Sequence, residues 1–201
     1  MTESGSPKTL VFATGNTNKK EEIAALIGPD VELKDLRDLG VTEDIPETGA
    51  TLQENACIKA QYLWDRFGIP VFADDTGLET TALNNGPGVY SARYAGPAKD
   101  PVANMQKLLR ELKGLADRSA QFRTVIAYID SLGKLRCFEG IARGQILQEP
   151  TGAKGFGYDP VFLPEGHDRS FAQMSLKEKN GISHRARAFR SFIAFLEDQK
   201  S

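Results

Sequence analysis

This sequence predicts a mixed α/β fold, and three observations carry the prediction. Short apolar runs rich in strand formers alternate with stretches whose apolar residues recur at helical spacing. Two long strand-like runs flank Ser131-Leu132-Gly133, as in a hairpin. No repeat, low-complexity tract or linker interrupts the chain. The whole chain, 1–201, is therefore read as one α/β domain, with two lobes around a cleft.

The elements follow in order. Residues 9–14 are apolar and bounded, which predicts a buried strand. Gly15-Asn16-Thr17-Asn18 breaks it. A helix over 19–27 follows, with Ile23, Leu26 and Ile27 on one face and Gly28-Pro29 as its stop. Residues 31–36 suit a second strand, and 37–50 are acidic and irregular. The stretch 51–67 predicts a strong helix. Leu52, Ala56, Ala60, Leu63 and Phe67 form its stripe, Cys57 and Trp64 widen it, and Asn55, Lys59 and Arg66 border it. Glu54, Gln61 and Asp65 lie opposite, toward solvent.

Pro70-Val71-Phe72-Ala73 reads as a strand that ends in Asp74-Asp75-Thr76-Gly77. Asn84-Asn85-Gly86-Pro87-Gly88 is a loop, and 100–112 has helical period. Strands are expected over 121–130 and 134–148. A glycine-rich loop, 152–157, leads into Tyr158-Asp159-Pro160. The last helix, 183–199, takes Ser183 as N-cap and buries Ala186, Phe189, Ile193 and Leu196.

Composition bounds the function. The apolar and charged fractions are those of a soluble globular protein. The formal net charge of −2 gives no global basic field for nucleic acid. Cys57 and Cys137 are far apart in sequence and form no CxxC pair. That argues against a zinc site or a disulfide scaffold and fits a reducing cytoplasm. Residues 1–8 are polar and lack an apolar signal core, and the first seven are expected to be loose. No apolar run reaches membrane-spanning length.

The adjacent carboxylates of Asp74 and Asp75 are the strongest chemical signal. Neighbours in a strand face opposite sides of the sheet, so one acid can serve a site while the other supports it. Their repulsion needs relief by a cation, a hydrogen-bond network or a shared proton. A solvated turn explains the same four residues equally well. Thr14-Gly15-Asn16-Thr17-Asn18-Lys19 joins a strand to a helix, where free N–H groups and the helix dipole favour phosphate. An ordinary turn has these features too. Asn55 and Lys59 stand one helical turn apart and face one cleft, although a lysine stem laid along the core suits the spacing as well. Phe156-Gly157-Tyr158-Asp159 suits a base-stacking platform with a carboxylate to read a base edge, or a loop whose aromatics cap the core. Ser183-His184-Arg185, with Lys179 before it, clusters donors at a helix start, against the helix dipole.

Asp75-Thr76-Gly77 also spells the signature of an aspartic protease, which here needs a homodimer to supply two copies. The helical periodicity opposes that all-β class. A nucleotide sensor that binds without turnover is the other rival.

Taken together, the motifs resemble the inosine triphosphate pyrophosphatase family. Val11-Phe12-Ala13-Thr14-Gly15-Asn16 with Lys19, Glu54-Asn55-Ala56 with Lys59-Ala60, and Ala73-Asp74-Asp75-Thr76-Gly77-Leu78 appear in that order. Gly88-Val89-Tyr90-Ser91-Ala92-Arg93-Tyr94, Gly155-Phe156-Gly157-Tyr158-Asp159-Pro160 and Ser183-His184-Arg185 follow. The resemblance spans about residues 9–197. It implies an elongated mixed sheet with flanking helices and two lobes around a central cleft, and a homodimer. It implies Mg²⁺-assisted attack of water on the α-phosphorus of ITP, dITP or XTP, with monophosphate and pyrophosphate as products. By the same resemblance, Asp75 is the proton acceptor and, with Glu47, a metal ligand. Thr14, Gly15, Asn16, Thr17, Asn18, Lys19 and Lys59 would hold phosphates, and Thr76 and Arg93 would contact substrate. Phe156, Gly157, Tyr158, Asp159, Lys179, His184 and Arg185 would surround the base. Thr76 stands where many bacterial relatives carry serine, which keeps the hydroxyl. The implied setting is the cytoplasm, without nucleic-acid or membrane partners.

Overall fold

The computed structural model describes residues 8–27 and 31–199. The expected loose start and the Gly28-Pro29 helix stop lie outside the described residues. Strand β1 (Lys8–Val11) leads through an Asn16 cap into α1 (Thr17–Ala24), then β2 (Val31–Lys34). Helix α2 (Leu52–Phe67) precedes β3 (Val71–Thr80) and the short β4 (Gly86–Pro87). Helix α3 (Pro101–Glu111) leads to the hairpin β5 (Ser119–Ile129) and β6 (Leu135–Ile146). Strand β7 (Phe162–Pro164), α4 (Leu176–Ile182) and α5 (His184–Asp198) complete the order.

The main sheet runs β4-β3-β5-β6-β7, and all its pairings are antiparallel. Strands β1 and β2 pair in parallel. A parallel bridge between Phe12 and Phe72 brings this pair alongside β3, and Ala13 N–H donates to the Phe72 carbonyl at 2.7 Å. The sheet system is thus mixed, as the fold class requires.

Alternation along β3 sorts its residues between two helices. Val71 and Ala73 join Val125, Ala127 and Ile129 under Leu52, Ala56, Ala60 and Leu63 of α2. Phe72 joins Ile126 and Tyr128 under Ala188, Phe189 and Phe192 of α5. Phe72 packs 5.2 Å from Phe192, centroid to centroid. Each buried Val, Leu, Ile or Phe among them contributes roughly 1.5–3 kcal/mol of transfer free energy. A third apolar cluster, with Leu78, Leu108, Phe122, Phe162 and Phe171, fills the opposite end of the sheet.

Four expectations change. The Asp74-Asp75-Thr76-Gly77 stretch is strand interior, not a strand end or a turn, because β3 continues to Thr80 in register with β5. Gly77 serves close approach: a Cβ there would lie 2.6 Å from the Gly88 carbonyl oxygen. Helix α1 starts at Thr17, since the Asn16 side chain accepts the Lys19 N–H at 3.2 Å and caps it earlier than position 19. Arg66 is exposed and reaches Glu43 and Tyr62 instead of bordering the core. On α5, Ile193 and Leu196 are only half-buried, while Phe192 and Ala188 are buried. Cys57 and Cys137, remote in sequence, meet as free thiols with sulfurs 3.8 Å apart, because β6 lies two strands from β3 beneath the same helix.

Candidate active site

A cleft of about 870 Å³ opens along β3, with the β1–α1 loop on one wall and the 156–159 loop on another. Asp74 and Asp75 take opposite faces of β3 and meet different surroundings.

On the α5 face, Asp74 is buried and fully paired. Its Oδ1 accepts from Lys19 Nζ at 2.7 Å and its Oδ2 from Arg185 Nε at 3.2 Å. The Thr76 hydroxyl adds a bond at 3.2 Å. Thr76 also meets the Thr124 hydroxyl at 2.7 Å and accepts from Arg185 at 3.1 Å. Burial alone would raise the Asp74 pKa, but Lys19, Arg185 and Lys59 outweigh it and drive it far down. Arg185 also bonds Glu22 of α1. Glu22 takes Lys179 Nζ at 2.6 Å, and Lys179 donates to Asp159 Oδ2 at 2.6 Å. Burial pushes Glu22 up, yet Arg185 and Lys179 win and lower it. Asp159 goes the other way: burial raises it against the pull of Lys179.

On the α2 face, Asp75 is less completely satisfied. Lys59 Nζ lies 3.2 Å from its Oδ1 and 2.6 Å from Glu47 Oε1. Asn55 Nδ2 donates to Asp75 Oδ2 at 3.3 Å. Burial raises the Asp75 pKa. Lys59 and Lys19 oppose this, the charges of Glu47 and Asp74 reinforce it, and the net direction is up. Glu47 is lowered: burial pushes up, but Lys59, Lys19 and Arg93 outweigh it. Arg93 stands 3.5 Å from Glu47 Oε2, with its guanidinium over the Tyr90 ring.

The chemistry of the far wall is aromatic and cationic. The partly exposed Phe156 ring has Lys179 Nζ 4.9 Å and Arg185 Cζ 5.6 Å from its centroid. Gly155, at φ +72°, admits the tight loop, since a Cβ there would sit 2.1 Å from Asp159 Oδ2.

The sequence profile of the Ham1 family matches residues 10–195, nearly the whole chain. The chain belongs to the Ham1 family. This Ham1-family chain is 54% identical to a protein of Christiangramia forsetii named dITP/XTP pyrophosphatase, over 93% of this chain and 98% of the relative. It is 52% identical to a protein of the same name from Porphyromonas gingivalis, over 93% and 96% of the two. Among solved structures it resembles the Ham1 protein of Staphylococcus aureus, at a TM-score of 0.87 and 40% identity. That match covers 96% of this chain and all of the other. The expected resemblance to the inosine triphosphate pyrophosphatases thus holds at the level of family.

Most of the expected residues line the Ham1-family cleft. Thr14, Gly15, Asn16, Asn18, Lys19, Glu47, Lys59, Asp75, Thr76, Arg93, Phe156, Gly157, Tyr158, Asp159, Lys179, His184 and Arg185 all do. Thr17 does not; it opens α1 and is exposed. Tyr158 follows the core-capping alternative, while Asp159 and His184 depart from their expected roles. Tyr158 is a wall residue of the third apolar cluster, its hydroxyl donating to the Ser91 carbonyl at 2.9 Å. Asp159 Oδ2 is engaged internally by Lys179 and by the Phe156 N–H at 2.8 Å, so this oxygen does not read a base edge. His184 is not a charged donor: it is buried, stacked on Phe122 at 4.5 Å, and held neutral by burial and by the charges of Arg185 and Lys179. Its Nδ1 has no hydrogen-bond partner among the described residues.

Sequence reasoning missed Glu22 and Phe122. Glu22 carried a usable signal, an acid beside Ile23 on the inward face of a helix, which is a local conflict of the kind sites create. Phe122 looked like any strand aromatic.

Proposed function

We propose that this protein hydrolyses non-standard purine nucleoside triphosphates, ITP, dITP and XTP, to the monophosphate and pyrophosphate. One observation carries the reading: a single cleft joins a carboxylate–lysine cluster to an aromatic pocket lined by cations. A nucleoside triphosphate has matching ends, a polyanion and a flat base. The names of the curated relatives support the same substrate class.

Water attacks the α-phosphorus in this reading. Asp75, whose proton affinity is raised, accepts the proton. Lys19, Lys59 and Arg93 hold phosphate oxygens with the Thr14–Lys19 loop, and Thr76 contacts substrate. Phe156 stacks on the base. Lys179 and Arg185 are donors only, so they suit a six-oxygen and leave adenine's six-amino group mismatched. Such a mismatch can support discrimination of roughly 10⁴–10⁵-fold. Neutral His184 offers an acceptor as well as a donor, so it does not share in that rejection.

The residues fit Mg²⁺. Glu47 and Asp75 aim at one cation position, now taken by the Lys59 ammonium. Among the described residues no group of three or more His, Cys, Asp or Glu converges. Two hard carboxylates suit an ion that completes its shell with water and phosphate. Bound there, Mg²⁺ would lower the pKa of water and offset charge at phosphorus. The same reading takes the chain as one domain with two lobes, acting as a cytoplasmic homodimer without nucleic-acid or membrane partners. No helix among the described residues is long and apolar enough to cross a membrane.

The test is a panel of nucleoside triphosphates with Mg²⁺ in ¹⁸O-water. Label should enter the monophosphate, and pyrophosphate should leave unlabelled. Orthophosphate release, or binding without turnover, defeats the proposal.

A further inference from the structure

We propose that Asn55 is a positioning residue that aligns both cleft carboxylates through one amide. The inference rests on the hydrolase reading above. Asn55 is fully buried and lies outside the cleft lining, so it touches no substrate. Its Oδ1 accepts the Gly49 N–H at 2.8 Å, and its Nδ2 donates to Asp75 Oδ2 at 3.3 Å. Gly49 is two residues beyond Glu47. One planar group therefore ties the loop carrying Glu47 to the strand carrying Asp75.

The amide's orientation is fixed by its partners. A carboxylate needs a donor and an N–H needs an acceptor, so a flipped amide would oppose both. The loop approaches closely enough to exclude any side chain at 49. A Cβ on Gly49 would lie 2.6 Å from Glu54 Cβ and 2.8 Å from Asn55 Oδ1. Glu54 holds the next two N–H groups, Ala50 at 2.6 Å and Thr51 at 3.2 Å, and closes a capping box with Thr51. Three consecutive N–H groups thus anchor the loop to the start of α2. Of these anchors only Asn55 continues to Asp75. Lys59 bridges the same two acids, but as a point charge on a flexible stem it attracts them without setting their planes. The amide is directional and sets the angle.

The experiment compares Asn55→Leu, Gly49→Ala and the double variant with wild type. Leucine fills similar space without hydrogen bonds. Gly49→Ala keeps the asparagine but drives a methyl against Asn55 Oδ1 and Glu54 Cβ, so it displaces the same loop from the glycine's end of the contact. Two quantities are read: steady-state kinetics on ITP with Mg²⁺, and Mn²⁺ affinity of the nucleotide-free protein. Outer-shell partners of this kind are worth about 10–100-fold in ion affinity or activity. Each single variant should lose kcat and Mn²⁺ affinity in that range with KM little changed. The double variant should be no worse than the poorer single one. Wild-type kcat and Mn²⁺ affinity in Asn55→Leu would overturn the inference, as would losses that multiply in the double variant. If wild type itself releases no pyrophosphate, the hydrolase reading fails, and the Mn²⁺ comparison still decides the role of Asn55.

Discussion

Two clusters of charge flank β3, and they are built to opposite ends. On the α5 face three acids (Asp74, Glu22, Asp159) meet three bases (Lys19, Lys179, Arg185), and every one of the six side chains is at most 15% exposed. On the α2 face two acids, Glu47 and Asp75, share Lys59, with Arg93 at the margin and Glu47 28% exposed. The first cluster is closed and charge-matched, and Asp74 is driven far below the usual carboxylate range. The second is more open, its one buried cation is shared by both acids, and burial drives Asp75 up. Adjacent residues of one type thus acquire different chemistry from the side of the strand they face. The closed cluster stabilises the fold and orients donors, while the open one keeps a carboxylate able to take a proton and a cation.

The largest effect that separates the clusters is on turnover. Asp75→Asn should cost roughly 10²–10⁴-fold in kcat, the range for loss of a general base. Its melting temperature should stay near wild type. Turnover of ITP close to wild type would erase the distinction.

Asp74→Asn should do the reverse. It leaves Lys19 without its acid and Arg185 with Glu22 alone, at a cost of about 3–5 kcal/mol of stability. Denaturant unfolding checks this. The sign with pH also follows. A folded pKa held below the unfolded value of about 3.9 contributes stability that is present above that value. It is lost as pH falls through the folded value. The gap between wild type and Asp74→Asn should therefore be full at pH 7 and shrink below about pH 4. A gap independent of pH would mean that the charge of Asp74 is not what stabilises the fold.

Phe156→Ala probes the boundary between the clusters and the base pocket. Stacking contributes about 1–3 kcal/mol and barely distinguishes purines, so KM should rise for ITP and XTP together. A loss confined to one base would assign Phe156 a reading role.

The smallest effect lies at the root of the open cluster. Thr51→Ala removes one side of the α2 capping box and should cost about 1 kcal/mol in thermal unfolding. A much larger loss would show that the Glu47 loop depends on the cap as well as on Asn55.

The elements were largely legible in the sequence because their patterns are local. The α2 stripe, the β5–β6 hairpin and the Ser183 cap all follow from spacing and turn chemistry. The contents of the cleft were legible through motifs, and Asp75, Lys59 and Lys19 meet there. Partnerships were not legible. Glu22 and Lys179 are 157 positions apart, and only the packing of α1 against α4 and α5 makes them a pair. His184 looked cationic because its sequence neighbours are polar. Its spatial neighbour Phe122 comes from β5, and burial there keeps it neutral. Asp-Thr-Gly looked like a turn because its composition is that of one, and the β5 pairing overrode it.

The strict alternation of β3 also bears on how such a chain can change over generations. Substitutions at Asp74 or Asp75 can be tried singly, each judged by one face of the sheet. An inserted residue between them cannot. It would place both acids on the same side, two strand positions apart, so that one cluster gains a surplus charge while the other loses its only strand-borne acid. Length variation in this lineage is thus expected to collect in segments such as 37–50, and the ten positions of β3 should keep their count even where their letters drift.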